Sequence, residues 1–139
     1  MLCPGNIAIS GHLDALARAE QMALAAGAMK AVRLQVAGAF HTAIMHSAVG
    51  LLVDALSTVQ FSQTSVPVYS NVDAVGHTSA TDFVRLLPQQ VVSPVLWEKS
   101  LNQLIADGVD QFIEIGAGRV LAGTLKRINR KIACENIGD

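Results

Sequence analysis

Strand-like and helix-like patterns alternate along this chain, which predicts an α/β fold holding part of a mainly parallel, doubly wound sheet. Two stretches carry that prediction. Residues 111–115 (QFIEI) read as a strand, Gly116-Ala117-Gly118 as a tight turn and residues 119–129 as a helix. Residues 7–10, 12–26 and 31–36 read in turn as strand, helix and strand. Composition bears on how complete the fold is. At 139 residues the chain has room for one core, yet it is 51% hydrophobic and only 15% charged. That apolar excess predicts surface that belongs against a partner, either a second copy or a missing piece of the same fold.

Taken in order, Pro4-Gly5-Asn6 is a turn signal, after which Ile7-Ala8-Ile9-Ser10 alternates until Gly11 breaks it. Leu13, Leu16, Ala17, Met22 and Leu24 fall mainly on one face of a helix that Gly27 closes. Val32, Leu34 and Val36 then alternate with Arg33 and Gln35. Strand, helix, strand fits either a βαβ crossover or half of a ferredoxin-like layer. Residues 42–59 form the next helix, with Ile44, Ala48, Leu51, Leu52, Ala55 and Leu56 at helical spacing. Residues 66–70 (VPVYS) read as a short buried strand, Asn71-Val72-Asp73-Ala74 as the loop leaving it, and Gly76-His77-Thr78-Ser79 as a turn. The helical pattern over 82–90 contains Pro88, which predicts a bend or a restart. Ser93-Pro94 breaks the chain, and Trp97 opens a helix through Ala106 that Gly108 ends, with Leu101, Leu104 and Ile105 facing in. Lys131-Ile132-Ala133-Cys134 adds a last edge strand. In such a sheet ligands bind beyond the carboxyl ends of the strands, where Asn71, Gly116 and His41 fall.

Several function classes are excluded early. No apolar run approaches the ~20 residues of a spanning helix, and the first residues (MLCPG) lack the charged start and apolar middle of a signal peptide. A cytoplasmic protein with no membrane partner is expected. Cys3 and Cys134 stand far apart with no ligand spacing, so they are read as reduced thiols and no metal site is expected. A net charge of −1 gives no general attraction to nucleic acid. Arg119, Lys126, Arg127, Arg130 and Lys131 nevertheless cluster, either as a solvated helix face or as a docking patch for an acidic partner.

One residue invites a chemical reading. His41 lies where a strand-like run ends and a helical pattern begins, so it either caps that helix or serves as a general base on rigid backbone. The register places it at the helix N-terminus, whose dipole favours a neutral ring. His12, His46 and His77 pair with no carboxylate at metal-ligand spacing and are read as surface or capping residues. Gly116-Ala117-Gly118 completes neither GxGxxG nor GxxxxGK[ST], so a tight turn is preferred over a phosphate loop. Nor does any serine lie in a GxSxG elbow, so a hydrolase working with a serine of this chain lacks its nucleophile.

Four separated segments carry a resemblance: GAFHTAIM at 38–45, SNVDA at 70–74, QQVVSPVLWEKS at 89–100 and EIGAGRVLAGTLKRI at 114–128. In order, spacing and residue type they resemble the C-terminal half of malonyl-CoA:acyl carrier protein transacylases. The resemblance implies malonyl transfer from coenzyme A to acyl carrier protein in fatty acid biosynthesis, through an acyl-enzyme on a serine in a GHSxG segment. It requires no cofactor, malonyl-CoA being the substrate. It implies that His41 is the base, that the main chain of Gln90 holds its ring, and that Phe40 goes with malonyl rather than methylmalonyl. Asn71 would lie on the substrate side, and Lys126, Arg127, Arg130 and Lys131 would dock the carrier protein. Residues 1–37 would be the second half of a ferredoxin-like small subdomain, and residues 38–139 the C-terminal part of the acyltransferase α/β domain. Departures are small: Asn6 stands for Gln after PG, Thr42-Ala43 for Ser-Pro, and Ala117 for the proline of EIGPG. The GHSxG elbow and the arginine for the malonyl carboxylate have no match in this sequence. The isolated chain is therefore expected to be inactive without a missing N-terminal half. The alternative is a non-catalytic homologue that self-associates or binds carrier protein.

Overall fold

A strand, a helix and a second strand parallel to the first form one unit of the fold. In the structure, a computed structural model describing residues 1–138, β3 (Gln111–Ile115) pairs in parallel with β4 (Ala133–Ile137). Their register runs from Gln111 opposite Ala133 to Ile115 opposite Ile137. The crossover is α5 (Val120–Ile128), because parallel neighbours cannot be joined by a tight turn. Alternation divides the pair into two faces. Phe112, Glu114, Cys134 and Asn136 are half-buried, whereas Ile113, Ile115 and Ile137 stand exposed, Ile115 at 82%. A parallel pair is normally covered on both faces, so one layer of this α/β fold has no counterpart among the described residues.

Before this unit come α1 (Leu13–Ala25), a 3-10 turn (Ala43–His46) running into α2 (Ser47–Ser57), a hairpin of β1 (Val68–Tyr69) and β2 (Gly76–His77), then α3 (Ala80–Val92) and α4 (Trp97–Ala106). Gly27, at φ +93, ends α1 as expected: Ala28 N–H bonds Ala23 C=O and Gly27 N–H bonds Leu24 C=O, closing the last turn. The buried apolar residues are few: Leu86 on α3, Leu101 on α4 and Leu125 on α5, the last only 2% exposed, with Cys3 and Ala74. Trp97 Nε1 donates to Thr124 Oγ1 at 2.9 Å and ties α4 to α5.

Four expectations need correction. Residues 7–10 and 31–36 form no ladder, and Ile7, Ile9, Val32, Leu34 and Val36 are exposed. Their alternation suits a sheet, but a strand needs a neighbour's backbone and none is offered here. The segment expected as half of a ferredoxin-like layer thus contributes α1, none of whose residues is buried. The third helix runs unbroken through Pro88. Val84, whose carbonyl loses its bond to that proline, lies on the exposed side where solvent can replace it, while Leu86 opposite is buried. Gly76-His77, read as a turn, pairs as β2 against Val68 and Tyr69. The last strand starts two residues later than expected and continues to Ile137.

Candidate active site

The site begins with a helix that is forced to stop. Proline disfavours helical backbone in the residue before it, and Ser93, at φ −104 and ψ 145, leaves the helix directly before Pro94. The third helix therefore ends at Val92, and its last carbonyls have no partners within the helix. His41 takes two of them. Its backbone N–H donates to Val91 C=O at 3.0 Å, and its Nδ1 lies 2.8 Å from Gln90 C=O. A carbonyl only accepts, so Nδ1 carries a proton, and in the neutral ring Nε2 keeps its lone pair. The backbone is held in the left-handed region, at φ +64, to make this approach.

The geometry corrects one part of the sequence reading. The ring does not face the start of α2, from which the 3-10 turn separates it. It meets the carbonyl end of α3, where the helix dipole stabilises a positive charge arriving on the ring.

A cavity of about 410 Å³ opens beside the imidazole, lined by Phe40, Met45, Ala48, Leu52, Leu87, Gln90 and Val91 with His41 itself. Its walls are almost wholly apolar and it is open to solvent on one side. None of the lining residues is cationic. Phe40 is 46% exposed at the rim. The arrangement can take a proton at Nε2 and return it, provided that a nucleophile is brought to the cavity.

No family model matches the chain. Curated relatives do. The malonyl CoA-acyl carrier protein transacylase of Bacillus subtilis is 41% identical over 137 residues, which is 99% of this chain and 43% of the relative. That of Escherichia coli K12 is 38% identical over 125 residues, 90% of this chain and 40% of the relative. Among solved structures, a malonyl-transacylase in complex with a type II PKS acyl-carrier protein superposes with a TM-score of 0.88 at 35% identity, over 93% of this chain and 42% of that one. An acyl carrier protein S-malonyltransferase from Vibrio cholerae does so at 0.86 and 36%, covering 93% of this chain and 42% of its own. Over nearly its whole length the chain is similar to malonyl-CoA:acyl carrier protein transacylases. It spans about two fifths of the length of the transacylases it matches.

Within the chain the remaining site residues fall in three places. Gln90 contributes its main-chain carbonyl to His41, the contact the resemblance implied. Asn71 is not brought to the cavity: its carbonyl accepts Leu96 N–H at 2.9 Å, joining the hairpin to the start of α4. Lys126 and Arg127 lie in the last turn of α5, with Arg130 and Lys131 just beyond. All four are exposed, and among the described residues none pairs with a carboxylate.

The helix N-terminus after the glycine turn is already occupied by a side chain of the chain itself. Glu114 accepts Leu121 N–H and Ala122 N–H, both at 2.9 Å, and these bonds, Ala122's first, hold its carboxyl below the usual range. Gly116 at φ +129 and Gly118 at φ +86 let the chain fold back for that contact, as a tight strand-to-helix turn. Sequence reasoning missed one cluster. His77 is only 12% exposed, with Nε2 at 3.0 Å from Asp73 and Nδ1 at 3.3 Å from Asp82. Arg85, then His77, hold the Asp82 carboxyl below its ordinary value. The Asp73–His77 spacing of four was the available signal, disguised because it suggests a helix and the residues lie on a hairpin. No group of three or more His, Cys, Asp and Glu is placed to hold a metal among the described residues, nor is any helix long and apolar enough to cross a membrane.

Proposed function

We propose that this chain carries the general base for malonyl transfer from coenzyme A to acyl carrier protein, in fatty acid biosynthesis, working with a serine from a polypeptide that supplies the GHSxG elbow. The observation that carries the reading is the Nδ1–H of His41 on the Gln90 carbonyl, which leaves Nε2 bare beside an apolar cavity. The serine hydroxyl gives its proton to Nε2 as its oxygen attacks the malonyl thioester, and the ring returns that proton to the departing coenzyme A thiolate. In the second half the carrier-protein thiol gives its proton to Nε2 and attacks the seryl ester. The serine leaves and takes that proton back. The negative end of α3 offsets the charge on the ring in both halves. Phe40 at the rim fills the space an α-methyl branch would need, and Lys126, Arg127, Arg130 and Lys131 form the cationic face for an acidic carrier protein. The reading also assigns residues 1–37 to a small subdomain, residues 38–139 to the acyltransferase domain, and a cytoplasmic setting to the whole.

The test is reconstitution. The chain alone should transfer no labelled malonyl group; mixed with a separately produced N-terminal portion of the family it should do so, and His41→Ala should remove that activity by at least about a thousandfold. Full activity in His41→Ala refutes the assignment. The bare apolar faces at Ile113, Ile115 and Ile137 favour a second reading, a non-catalytic homologue that self-associates. A monomer in sedimentation removes it.

A further inference from the structure

The reading of His41 as a base leaves open what keeps its backbone in place, and the inference here rests on that reading and deepens it. A residue with a ring at Cβ stays at φ +64 only where its surroundings hold it there. The third helix grips the N–H and the ring from one side. On the other side a single hydroxyl spans the turn. Thr42 Oγ1 donates to Ala39 C=O at 2.7 Å and accepts Ile44 N–H at 3.3 Å, linking the residue two before His41 to the residue three after it. Thr42 itself is extended, at φ −137 and ψ 163, and caps the 3-10 turn. Its proton and one of its two lone pairs are engaged.

We propose that Thr42 is a positioning residue for His41: its hydroxyl clamps residues 39–44 so that the imidazole presents Nδ1–H to Gln90 and keeps Nε2 bare. Serine carries the same hydroxyl and can replace threonine. Valine has the same shape without the clamp and cannot.

The experiment is nitrogen-15 NMR of the histidine side chains in the full 139-residue chain, with the amide exchange rate of His41 measured alongside. In the parent the neutral His41 ring should carry its proton on Nδ1. Thr42→Val should move its ring nitrogens toward the free-imidazole mixture and speed exchange of its amide by about fivefold or more, with His12 and His77 unchanged. Thr42→Ser should match the parent. A parent-like His41 in folded Thr42→Val overturns the proposal. Should that variant fail to fold, Thr42→Ala decides: a shifted His41 upholds the clamp and a parent-like one overturns it. No substrate enters this measurement, so it can fail while His41 remains a base, and hold even if reconstitution fails.

Discussion

Replacing Pro94 with alanine should release His41 from a distance, because the proline acts through what it lacks. In a helix the N–H of residue 94 would bind the carbonyl of residue 90, and that of residue 95 the carbonyl of residue 91. Those two carbonyls are the ones His41 occupies, at 2.8 and 3.0 Å. A proline inside a helix costs about 3 kcal/mol, and alanine removes that barrier to extending α3 past Val92. Against extension stand the two hydrogen bonds to His41, worth about 1 kcal/mol each, and these are already reduced by about 1–2 kcal/mol of strain at φ +64. The balance tips toward the longer helix. Carbon chemical shifts at residues 93 and 94 should move to helical values, and the His41 amide should exchange about fivefold to tenfold faster, which is the loss of about 1–1.4 kcal/mol. In the reconstituted enzyme the turnover should fall with the fixed ring. Unchanged shifts and an unchanged His41 amide would show that the helix stops for a reason other than the missing N–H.

Glu114→Gln should lose the charge that caps α5. The Glu114 carboxyl lies below its ordinary 4.5, so its contribution is present above that pH and disappears as the pH falls through the lowered value. The gap in thermal midpoint between parent and variant should be open at pH 6 and narrow as the pH falls below 4.5, and a gap independent of pH would refute the capping account. Leu125→Ala should destabilise the chain by about 2–5 kcal/mol in urea, since Leu125 is nearly sealed between helix and sheet. A loss under about 1 kcal/mol would place the core elsewhere. Reversing charge at Lys126 and Arg127 should weaken acyl carrier protein binding and flatten its salt dependence, as titration at two ionic strengths would reveal. Identical curves would remove the docking face.

What could be read from residues alone follows from how local each instruction is. The strand at 111–115 and the helix from Trp97 to Ala106 emerge within a residue of their predicted ends, because the turn at Gly108, φ +95, and the glycine turn at 116–118 punctuate them. The segments 7–10 and 31–36 carry the right alternation and remain unpaired, since pairing depends on a neighbour that periodicity does not describe. Pro88 misled because a helix with one buried flank and one wet flank can lose a hydrogen bond on the wet side. The His41–Gln90 contact spans 49 positions, and no local pattern encodes it. It was legible only through the resemblance of whole segments, which is also why the dipole argument, made from neighbours in sequence, chose the wrong helix.

The left-handed conformation at position 41 also governs what chemistry could ever be installed there. Of the twenty residue types, glycine, asparagine and aspartate enter that region at little cost, whereas valine, isoleucine and threonine are outliers in it. A saturation library at this position would be filtered by main-chain geometry before any reaction was scored. Aspartate would survive that filter as the one substitute carrying a proton acceptor, on a side chain too short to reach where an imidazole reaches.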